Sequence, residues 1–400
     1  MLRRLVIVAL FMLSLSPLWA QTDSVAIVDD EPINFRYTPI DQTSVGHSAD
    51  GGSGRSFLDY LTGEPVEVGR DAALSTFVGL GYSSATSLRL GLLGQLSYRP
   101  AGVDRGVSAS TLSLSGAVSI SGYYRVALLG NNYFGRGNHR LSYSADVCSQ
   151  PSDLWGFNYD ESLYGSAGRY TSKRYAAWTR YSYAVLRDFY VGLYADYRYL
   201  SAVRTDAGAD ALLGDRLRST SLAGVGVNVA LDTRDVATNA SNGVYAAVEF
   251  IVRPSFVSSL GYDTWQLTAV VDYYQSLWRG AILAFDLYGE VHSAATPWLL
   301  RAQLGGDERM RGYYPGRFNG DNLFAAQVEL RQHLWHRLGC VVWGGGGVAF
   351  SVDDRFAWRK VLPTYGLGLR WALHERSNLR IDAGFGRKSY ALMLGINESF

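Results

Sequence analysis

The residues with the clearest chemical potential in this chain lie in a glycine-rich stretch at positions 305–322. Arg311, near its middle, carries a guanidinium that keeps its charge in a protein and presents a fork of donors suited to carboxylates. Glu329 and Asp382 offer such carboxylates on later stretches with a strand-like alternation. Because a buried guanidinium needs partners, these three residues predict an ion-paired cluster. A solvated arginine in an external loop is the alternative that the residues leave open.

The rest of the chain gives little indication of catalysis. His333 and His336 are separated by three positions, which places them on opposite faces of a strand. There is no Gly-x-Ser-x-Gly motif, and no Lys-Ser or Lys-Thr follows the glycines at 344–347 as a phosphate loop requires. Cys148 and Cys340 match no metal-ligand spacing, and we expect them unpaired at opposite ends of distant strands. We predict no catalytic residue, metal or cofactor; a hydrolase built from a serine and a histidine stays open.

The elements that must position these side chains are strands with one apolar face. From about Ala72 onward, apolar residues recur at every second position. Residues 189–199, 324–331 and 379–386 alternate in this way, with charged residues and glycines between the apolar ones. Such strands fit a soluble sandwich, whose apolar faces point inward, or a membrane barrel, whose apolar faces point to lipid. This two-residue period alone does not distinguish the two folds.

Composition and an export signal favour the membrane barrel. Aromatic residues make up 13% of the chain and Gly accounts for 44 residues, while charged residues reach only 18%, below the roughly 25% of soluble domains. Residues 1–20 combine Arg3 and Arg4 with an apolar run from Leu5 to Leu13 and a possible cleavage site after Ala20, which predicts a signal peptide. No later apolar run is long enough for a spanning helix. The net charge of +1 gives no indication of nucleic-acid binding.

We therefore predict three regions: a signal peptide at 1–20, an irregular periplasmic segment at 21–71 and a transmembrane antiparallel β-barrel at 72–400. The middle segment has acidic residues, a Gly-Ser stretch and poor periodicity. The barrel region contains roughly sixteen strand-like runs, an even number as closed bacterial barrels require; the fifth is expected at 139–148 and the last, with its outward apolar alternation, at 389–400. If the first run starts in the periplasm, the loop at 292–320 follows the eleventh strand on the outer side.

This loop resembles a motif of one known family. The stretch 305–313, Gly-Gly-Asp-Glu-Arg-Met-Arg-Gly-Tyr, is similar to the long inward-folding loop of the bacterial surface antigen family, the barrel of BamA/TamA-type outer-membrane assembly proteins. In that family the loop also lies between strands 11 and 12. The resemblance implies that Arg311 anchors the loop in the lumen. Gly312 would then allow tight backbone packing against the wall, on which Tyr313 would stack.

The resemblance also assigns partners to the arginine. Glu329 matches the family's acid on the strand that follows the loop. A further family Asp occurs in a Trp-Asp-x-Gly context, whereas positions 343–346 here read Trp-Gly-Gly-Gly, so we expect Asp382 to substitute for it. At the carboxyl end, an alternating strand followed by Phe400 resembles the sorting signal read by the outer-membrane assembly machinery. Glu398 departs from that signal, because an apolar residue is usual there.

The function that the resemblance implies is a part in outer-membrane biogenesis, by inserting or translocating protein or lipid. The protein would lie in the outer membrane of a Gram-negative bacterium with both termini in the periplasm. Its partners would be outer-membrane lipid, the machinery that assembles it and a periplasmic partner supplied in trans. The segment 21–71 is too short for the periplasmic repeat domains of such proteins. A passive channel or structural barrel is therefore the alternative.

Overall fold

A computed structural model describes residues 66–69, 72–83, 87–103, 107, 109–235, 239–374, 377–396 and 398–400. The predicted signal peptide and most of the predicted segment 21–71 lie outside these residues. The strands are β1 (Val66–Gly69), β2 (Ala72–Ser83), β3 (Ser87–Tyr98), β4 (Ser110–Ser119), β5 (Tyr124–Phe134), β6 (His139–Leu154), β7 (Gly168–Leu186), β8 (Phe189–Val203), β9 (Ser219–Asp232), β10 (Gly243–Arg253), β11 (Thr264–Trp278), β12 (Ala281–His292), β13 (Ala302–Leu304), β14 (Phe318–Gly320), β15 (Asn322–Trp335), β16 (Leu338–Phe350), β17 (Leu362–His374), β18 (Ser377–Gly386) and β19 (Ser389–Ile396). The helices are α1 (Tyr159–Tyr164) and α2 (Ala207–Leu213), with 3-10 turns at Ser255–Val257, Trp298–Leu300 and Trp358–Lys360. None of the helices in this described part is long and apolar enough to cross a membrane.

In the described residues, 17 strands form one antiparallel sheet. Each strand from β1 to β12 pairs with the next, β12 pairs with β15, and the order then continues strand by strand to β19. The short strands β13 and β14 form a separate hairpin between β12 and β15. Leaving out the four-residue β1, the 17-stranded sheet has 16 strands of 8 to 19 residues. The predicted all-β fold with about sixteen antiparallel strands is confirmed.

The sheet has its apolar side chains outside and its polar side chains inside. On β15, Phe324 and Val328 are 46% and 37% exposed, whereas Gln327 and Glu329 between and beside them are 6% and 0% exposed. The same alternation places exposed Leu, Val and Tyr side chains along most strands. A soluble monomer rarely exposes apolar patches of such extent. An apolar outer face and a polar concave face are the arrangement typical of the walls of transmembrane barrels.

Contacts across the concave face show that the sheet curls strongly. Arg180 on β7 donates to Glu249 on β10 at 2.7 Å. Arg387, in the turn after β18, donates to the hydroxyl of Tyr159 in the connection between β6 and β7 at 2.6 Å. The antiparallel order puts the long connections β6–β7, β8–β9, β12–β15 and β16–β17 at one end of the sheet, together with the β18–β19 turn. The two-residue turns β7–β8, β11–β12 and β15–β16 lie at the other end, which we call the short-turn end. Both ends of the described chain therefore lie at the short-turn end.

Strand boundaries differ from the sequence-based expectation in several places. Residues 66–69, predicted to be irregular, form β1 because they pair in a hairpin with β2. β6 continues past the predicted end at residue 148 to Leu154, and Pro151 within this extension lies opposite Thr171 of the 19-residue β7. β19 ends at Ile396, although alternation was expected to continue to Phe400.

Candidate functional site

The connection between β12 and β15 folds onto the concave face of the sheet. It contains the 3-10 turn at Trp298–Leu300 and the β13–β14 hairpin, whose tip is formed by residues 305–317. Met310 and Tyr313 in this tip are each 1% exposed and belong to one apolar cluster with side chains of the wall and of α1. The tip is therefore inside the sheet. Counted from β2, the connection lies between the eleventh and twelfth long strands.

Arg311 in the tip is held between two carboxylates of the wall. Its Nη2 donates to Oε2 of Glu329 on β15 at 2.5 Å, and its Nη1 donates to Oδ2 of Asp382 on β18 at 3.0 Å. All three side chains are 0% exposed. The guanidinium carbon also lies 3.7 Å from the ring centroid of Trp343 on β16, close enough for a cation–π contact. The structure thus brings together the three residues that the sequence singled out for an ion-paired cluster.

Each carboxylate also accepts from a second arginine of the wall. Arg331 Nε donates to Oε1 of Glu329 at 2.7 Å, and Arg370 Nη1 donates to Oδ1 of Asp382 at 2.5 Å. These bonds use the carboxylate oxygens that Arg311 leaves free, and buried charges are tolerated only when they are paired in this way. Taking away one member would leave uncompensated buried charge, so the cluster is sensitive to single substitutions.

Gly312 and Tyr313 fix how closely the tip approaches the wall. Gly312 has a φ of 107°, and a Cβ there would lie 2.8 Å from the backbone carbonyl carbon of Gly384 on β18. Two glycines face each other at this contact, which lets the backbones meet. The Tyr313 hydroxyl donates to the carbonyl of Pro363 at 2.7 Å and accepts from the N–H of Arg387 at 2.6 Å. Burial raises the pKa of the Tyr313 phenol, so the hydroxyl remains a donor.

Sequence reasoning missed the aromatic side chain beneath the guanidinium. The stretch 343–346 was interpreted only as lacking the family's Asp, whose position is taken by Gly344, and no role was predicted for Trp343, the residue before it. It lies directly opposite Glu329 in the β15–β16 pairing and is 3% exposed. Period two alone could have identified Trp343, Arg331 and Arg370 as inward-facing residues. It could not have chosen partners among them.

Phe400 is placed differently from the prediction. It was expected to end the outward alternation of the last strand, but it lies beyond β19, is 7% exposed and packs inside the sheet. Its ring centroid is 6.4 Å from that of Tyr274 on β11, and its carbonyl accepts from Nη2 of Arg331 at 2.7 Å. These interior contacts hold Phe400 away from the apolar outer face of the sheet. The use of Phe400 as a sorting signal stays a prediction.

A second buried group of charges joins wall strands to one another. Arg180 pairs with Glu249 at 2.7 Å between β7 and β10. Oδ2 of Asp196 on β8 accepts from Arg198 Nε at 2.9 Å and from Arg253 Nη2 of β10 at 2.7 Å. Sequence reasoning singled out none of these contacts between distant strands, although alternation marks their residues as inward-facing.

The connections at the long-loop end pack on one another above the buried tip. Arg317 Nε donates to the carbonyl of Ser162 in α1 at 2.9 Å. Trp155 meets Tyr314 edge to face, with ring centroids 4.9 Å apart. Trp298 Nε1 donates to the carbonyl of Leu217, in the connection that follows α2, at 2.7 Å. The β12–β15 connection is thus fixed from above by the neighbouring connections as well as from below by the wall.

The described residues contain no group of three or more His, Cys, Asp or Glu side chains that could hold a metal ion. Cys148 is buried and Cys340 is partly exposed, and no disulfide joins them. His333 and His336 lie at the β15–β16 turn, where the His333 ring contacts the carbonyl of His336 at 2.8 Å. The chemistry of the interior is therefore ion pairing and packing around the loop tip.

Comparison with known proteins yields structural neighbours. No protein-family model matches the chain, and no curated protein matches it by sequence. BamA from Haemophilus ducreyi lacking POTRA domains 1-3 is similar with a TM-score of 0.54 at 14% identity, over 81% of this chain and 69% of that one. CdiB from Escherichia coli has a TM-score of 0.54 at 16% identity, over 83% of this chain and 62% of that one. CdiB from Acinetobacter baumannii has a TM-score of 0.52 at 13% identity, over 82% and 59% of the respective chains.

These neighbours define the fold class. The chain shares the fold of the BamA and CdiB barrels, which confirms at the level of fold the likeness predicted from the stretch 305–313. It spans only 59% and 62% of the two CdiB chains. The likeness concerns architecture, and function has to be argued from the site.

Proposed function

We propose that this protein is an outer-membrane β-barrel that takes part in outer-membrane biogenesis by inserting or translocating protein or lipid. The observation that carries the proposal is the clamp of Arg311 between Glu329 and Asp382. A loop tip that is buried against the inner wall occupies space that a permanently open channel would need. Transport through such a barrel would require the tip to move or the wall strands to separate, which suits a regulated path for a large substrate.

The outer face supports membrane insertion. Outward-facing residues of β15 run from Phe324 to Leu334, which are 46% and 52% exposed. At roughly 3.3 Å per residue and a tilt of roughly 40°, this stretch spans about 25 Å along the membrane normal. That height equals the apolar band of outer-membrane barrels, roughly 25 Å. Trp335, 68% exposed at the short-turn end, would then lie at a membrane–water interface, where Trp is enriched.

We also propose that the sheet closes by pairing β19 with the part of β2 beyond residues 72–74, which already pair with β1. The strong curl of the wall and the even number of long strands support closure, since a closed antiparallel barrel leaves no free edge. β19 has 8 residues, against 19 in β7. A short pairing has fewer hydrogen bonds to break, so this seam would be the place where the wall opens. The short-turn end, with both termini, would face the periplasm.

The proposed partners follow from this placement. Outer-membrane lipid would cover the apolar exterior, the host's assembly machinery would insert the barrel, and a periplasmic protein would act in trans. We assign the protein no enzymatic activity. A passive channel is the competing function, and the buried tip speaks against it.

Single-channel conductance of the purified full chain in planar bilayers separates the two functions. We expect a closed or flickering state, because the clamped tip occupies space in the lumen. Opening should become frequent in Arg311→Ala, whereas Arg180→Ala, which breaks a wall pair, should stay closed. A large and steady conductance of the unmodified protein would instead identify a passive channel.

Depletion in the host tests the biogenesis function directly. Loss of the protein should lower the amount of specific proteins or lipids in the outer membrane, measured by quantitative mass spectrometry of purified membranes. Complementation by the unmodified gene should restore them. An unchanged outer-membrane inventory, with the protein itself located in that membrane, would contradict the proposed function.

A further inference from the structure

The residues that follow β19 reach the same charge cluster as the loop. Glu398 accepts from Arg370 Nε through Oε2 at 2.7 Å and from Asn378 Nδ2 through Oε1 at 2.8 Å. Its side chain is 3% exposed. Glu398 lies where the sorting-signal resemblance would have an apolar residue, and its inward direction explains how a carboxylate is accommodated there.

Two routes connect this segment to Arg311. In the first, Ser399 Oγ donates to Oε2 of Glu329 at 3.1 Å, the same oxygen that accepts from Arg311. In the second, Arg370 bridges Glu398 and Asp382, and Asp382 accepts from Arg311. Each of the two carboxylates that hold the loop is therefore also tied to the residues after β19.

The formal charges in this cluster balance. Arg311, Arg331 and Arg370 face Glu329, Asp382 and Glu398, three cations against three anions. A nearby arginine of the wall, Arg380, lies 3.9 Å from Asp382 and pairs with Asp307 of the loop at 3.2 Å, so counting this further pair leaves the balance unchanged. Without the Glu398 carboxylate the buried cluster would carry one excess positive charge, which is costly in a desolvated interior.

Arg311 is the cation best able to relieve that excess. Arg331 and Arg370 belong to β15 and β17 and are fixed by strand pairing, whereas Arg311 is carried by a loop tip. We propose that residues 398–400, the inner latch, position Arg311, and that Glu398 is the positioning residue through which they act. The latch holds the loop in the lumen by keeping the cluster neutral.

The functional consequence of the latch, a coupling between the seam and the loop, rests on the proposed function. The latch is continuous with β19, which borders the proposed seam. If β19 moved away from the wall, Glu398 and Ser399 would leave with it and the clamp on Arg311 would weaken. By linkage, release of Arg311 would loosen the latch to the same extent. Opening of the seam and release of the loop would then be one coupled event.

Glu398→Gln tests the latch, because the change removes the charge and nearly keeps the shape. The variant is first checked for native mobility on an unheated gel, and cleavage within residues 305–317 by trypsin is then followed by mass spectrometry. We expect cleavage at least about fivefold faster than in the unmodified protein, the lower end of typical coupling. Glu398→Asp should restore part of the protection. Ser399→Ala, which keeps all charges, should give a smaller change in the same direction.

Glu249→Gln is the matched control. The Glu249 side chain is 1% exposed and pairs with Arg180, so this change also neutralises a buried carboxylate. It should destabilise the wall without exposing the loop tip. Equal cleavage of the tip in both variants, or unchanged cleavage in Glu398→Gln, would overturn the proposal.

The reciprocal effect can be measured by maleimide labelling of a cysteine introduced by Ser399→Cys, in a background with Cys148→Ser and Cys340→Ser. Adding Arg311→Ala should make this labelling faster. If Glu398→Gln exposes the loop tip but depletion of the protein leaves the outer membrane unchanged, this inference holds and the proposed function is wrong. If depletion changes the outer membrane but Glu398→Gln leaves the tip protected, the proposed function holds and this inference is wrong.

Discussion

Two buried arginines of this protein use the same chemistry for different purposes. Arg180 pairs with Glu249 and joins one wall strand, β7, to another, β10. Arg311 pairs with Glu329 and Asp382 and joins a loop to the wall. Strand pairing already keeps Arg180 in place, so its ion pair adds to an existing structure. The position of the tip depends much more on the Arg311 contacts.

The surroundings of the two guanidiniums reinforce this difference. Arg180 bonds one carboxylate and lies 5.4 Å and 5.5 Å from the ring centroids of Trp178 and Tyr194. Arg311 bonds two carboxylates and lies 3.7 Å from the centroid of Trp343. A forked guanidinium can serve two acids and an aromatic face together, and an ammonium cannot. We infer that the loop site requires arginine, whereas the wall site requires only a paired cation.

The largest effect is expected for Arg311→Ala. Removing one partner from a buried ion pair costs roughly 3–5 kcal/mol, so the variant should unfold at lower denaturant concentration in detergent. Its tip should also become accessible to a broad-specificity protease. Arg180→Ala should lose comparable stability and keep a protected tip. Arg311→Lys should recover only part of the protection, and full recovery would show that the fork is not used. An unchanged protease pattern in Arg311→Ala would place the loop outside the lumen.

A smaller but still large effect is expected for Gly312→Ala. A Cβ at this position meets the Gly384 backbone at 2.8 Å, and the φ of 107° is unfavourable for alanine. Backbone strain of this kind costs roughly 1–3 kcal/mol before any steric shift. Gly261→Ala is the control, since Gly261 has a φ of 73° and open space around its Cβ position. Both variants are compared by denaturant unfolding and tip cleavage. Equal losses, with an intact tip, would show that the Gly312–Gly384 contact does not set the loop position.

Next in size is the coupling between Arg311 and Glu329. A double-mutant cycle of Arg311→Ala and Glu329→Gln should give an interaction energy well above 1 kcal/mol, as contacting charges do. The cycle of Arg311→Ala with Glu249→Gln should be additive within about 0.5 kcal/mol, because Glu249 is paired elsewhere. Additivity in the first cycle would mean that the observed bond contributes nothing specific to the loop.

The inward and outward faces of the wall strands could be predicted from the sequence, because the alternation of side chains along a strand is a local rule. Alternation in residues 324–331 places Glu329 inward, and a strand obeys this rule wherever its partner strands lie. The position of the loop after the eleventh strand followed from counting such strands. Asp382 was chosen among several inward-facing acids, and that choice depends on the curl of the sheet, which no local pattern encodes.

Prediction failed where the backbone leaves the strand pattern. The residues after Ile396 were assigned to an outward alternation, but buried arginines draw Glu398 and Phe400 inward. No role was predicted for Trp343, because comparison with the motif registered only the acid that is absent at position 344 and did not consider the space beside a guanidinium. The β13–β14 hairpin was also missed, since strands of three residues carry too little periodicity to be recognised.

The smallest effect is expected at an ion pair that is not buried. Asp210 in α2 pairs with Arg218 at 2.7 Å, and the two side chains are 48% and 45% exposed. Water and salt screen such a pair, and holding two flexible side chains together has an entropic cost, so many surface pairs contribute nothing measurable. Asp210→Asn should therefore leave both the unfolding midpoint and the protection of the loop tip within experimental scatter, at low and at high salt. If this variant exposed the tip as Arg311→Ala does, the contacts among the outer connections, rather than burial of the charge at Arg311, would control the loop.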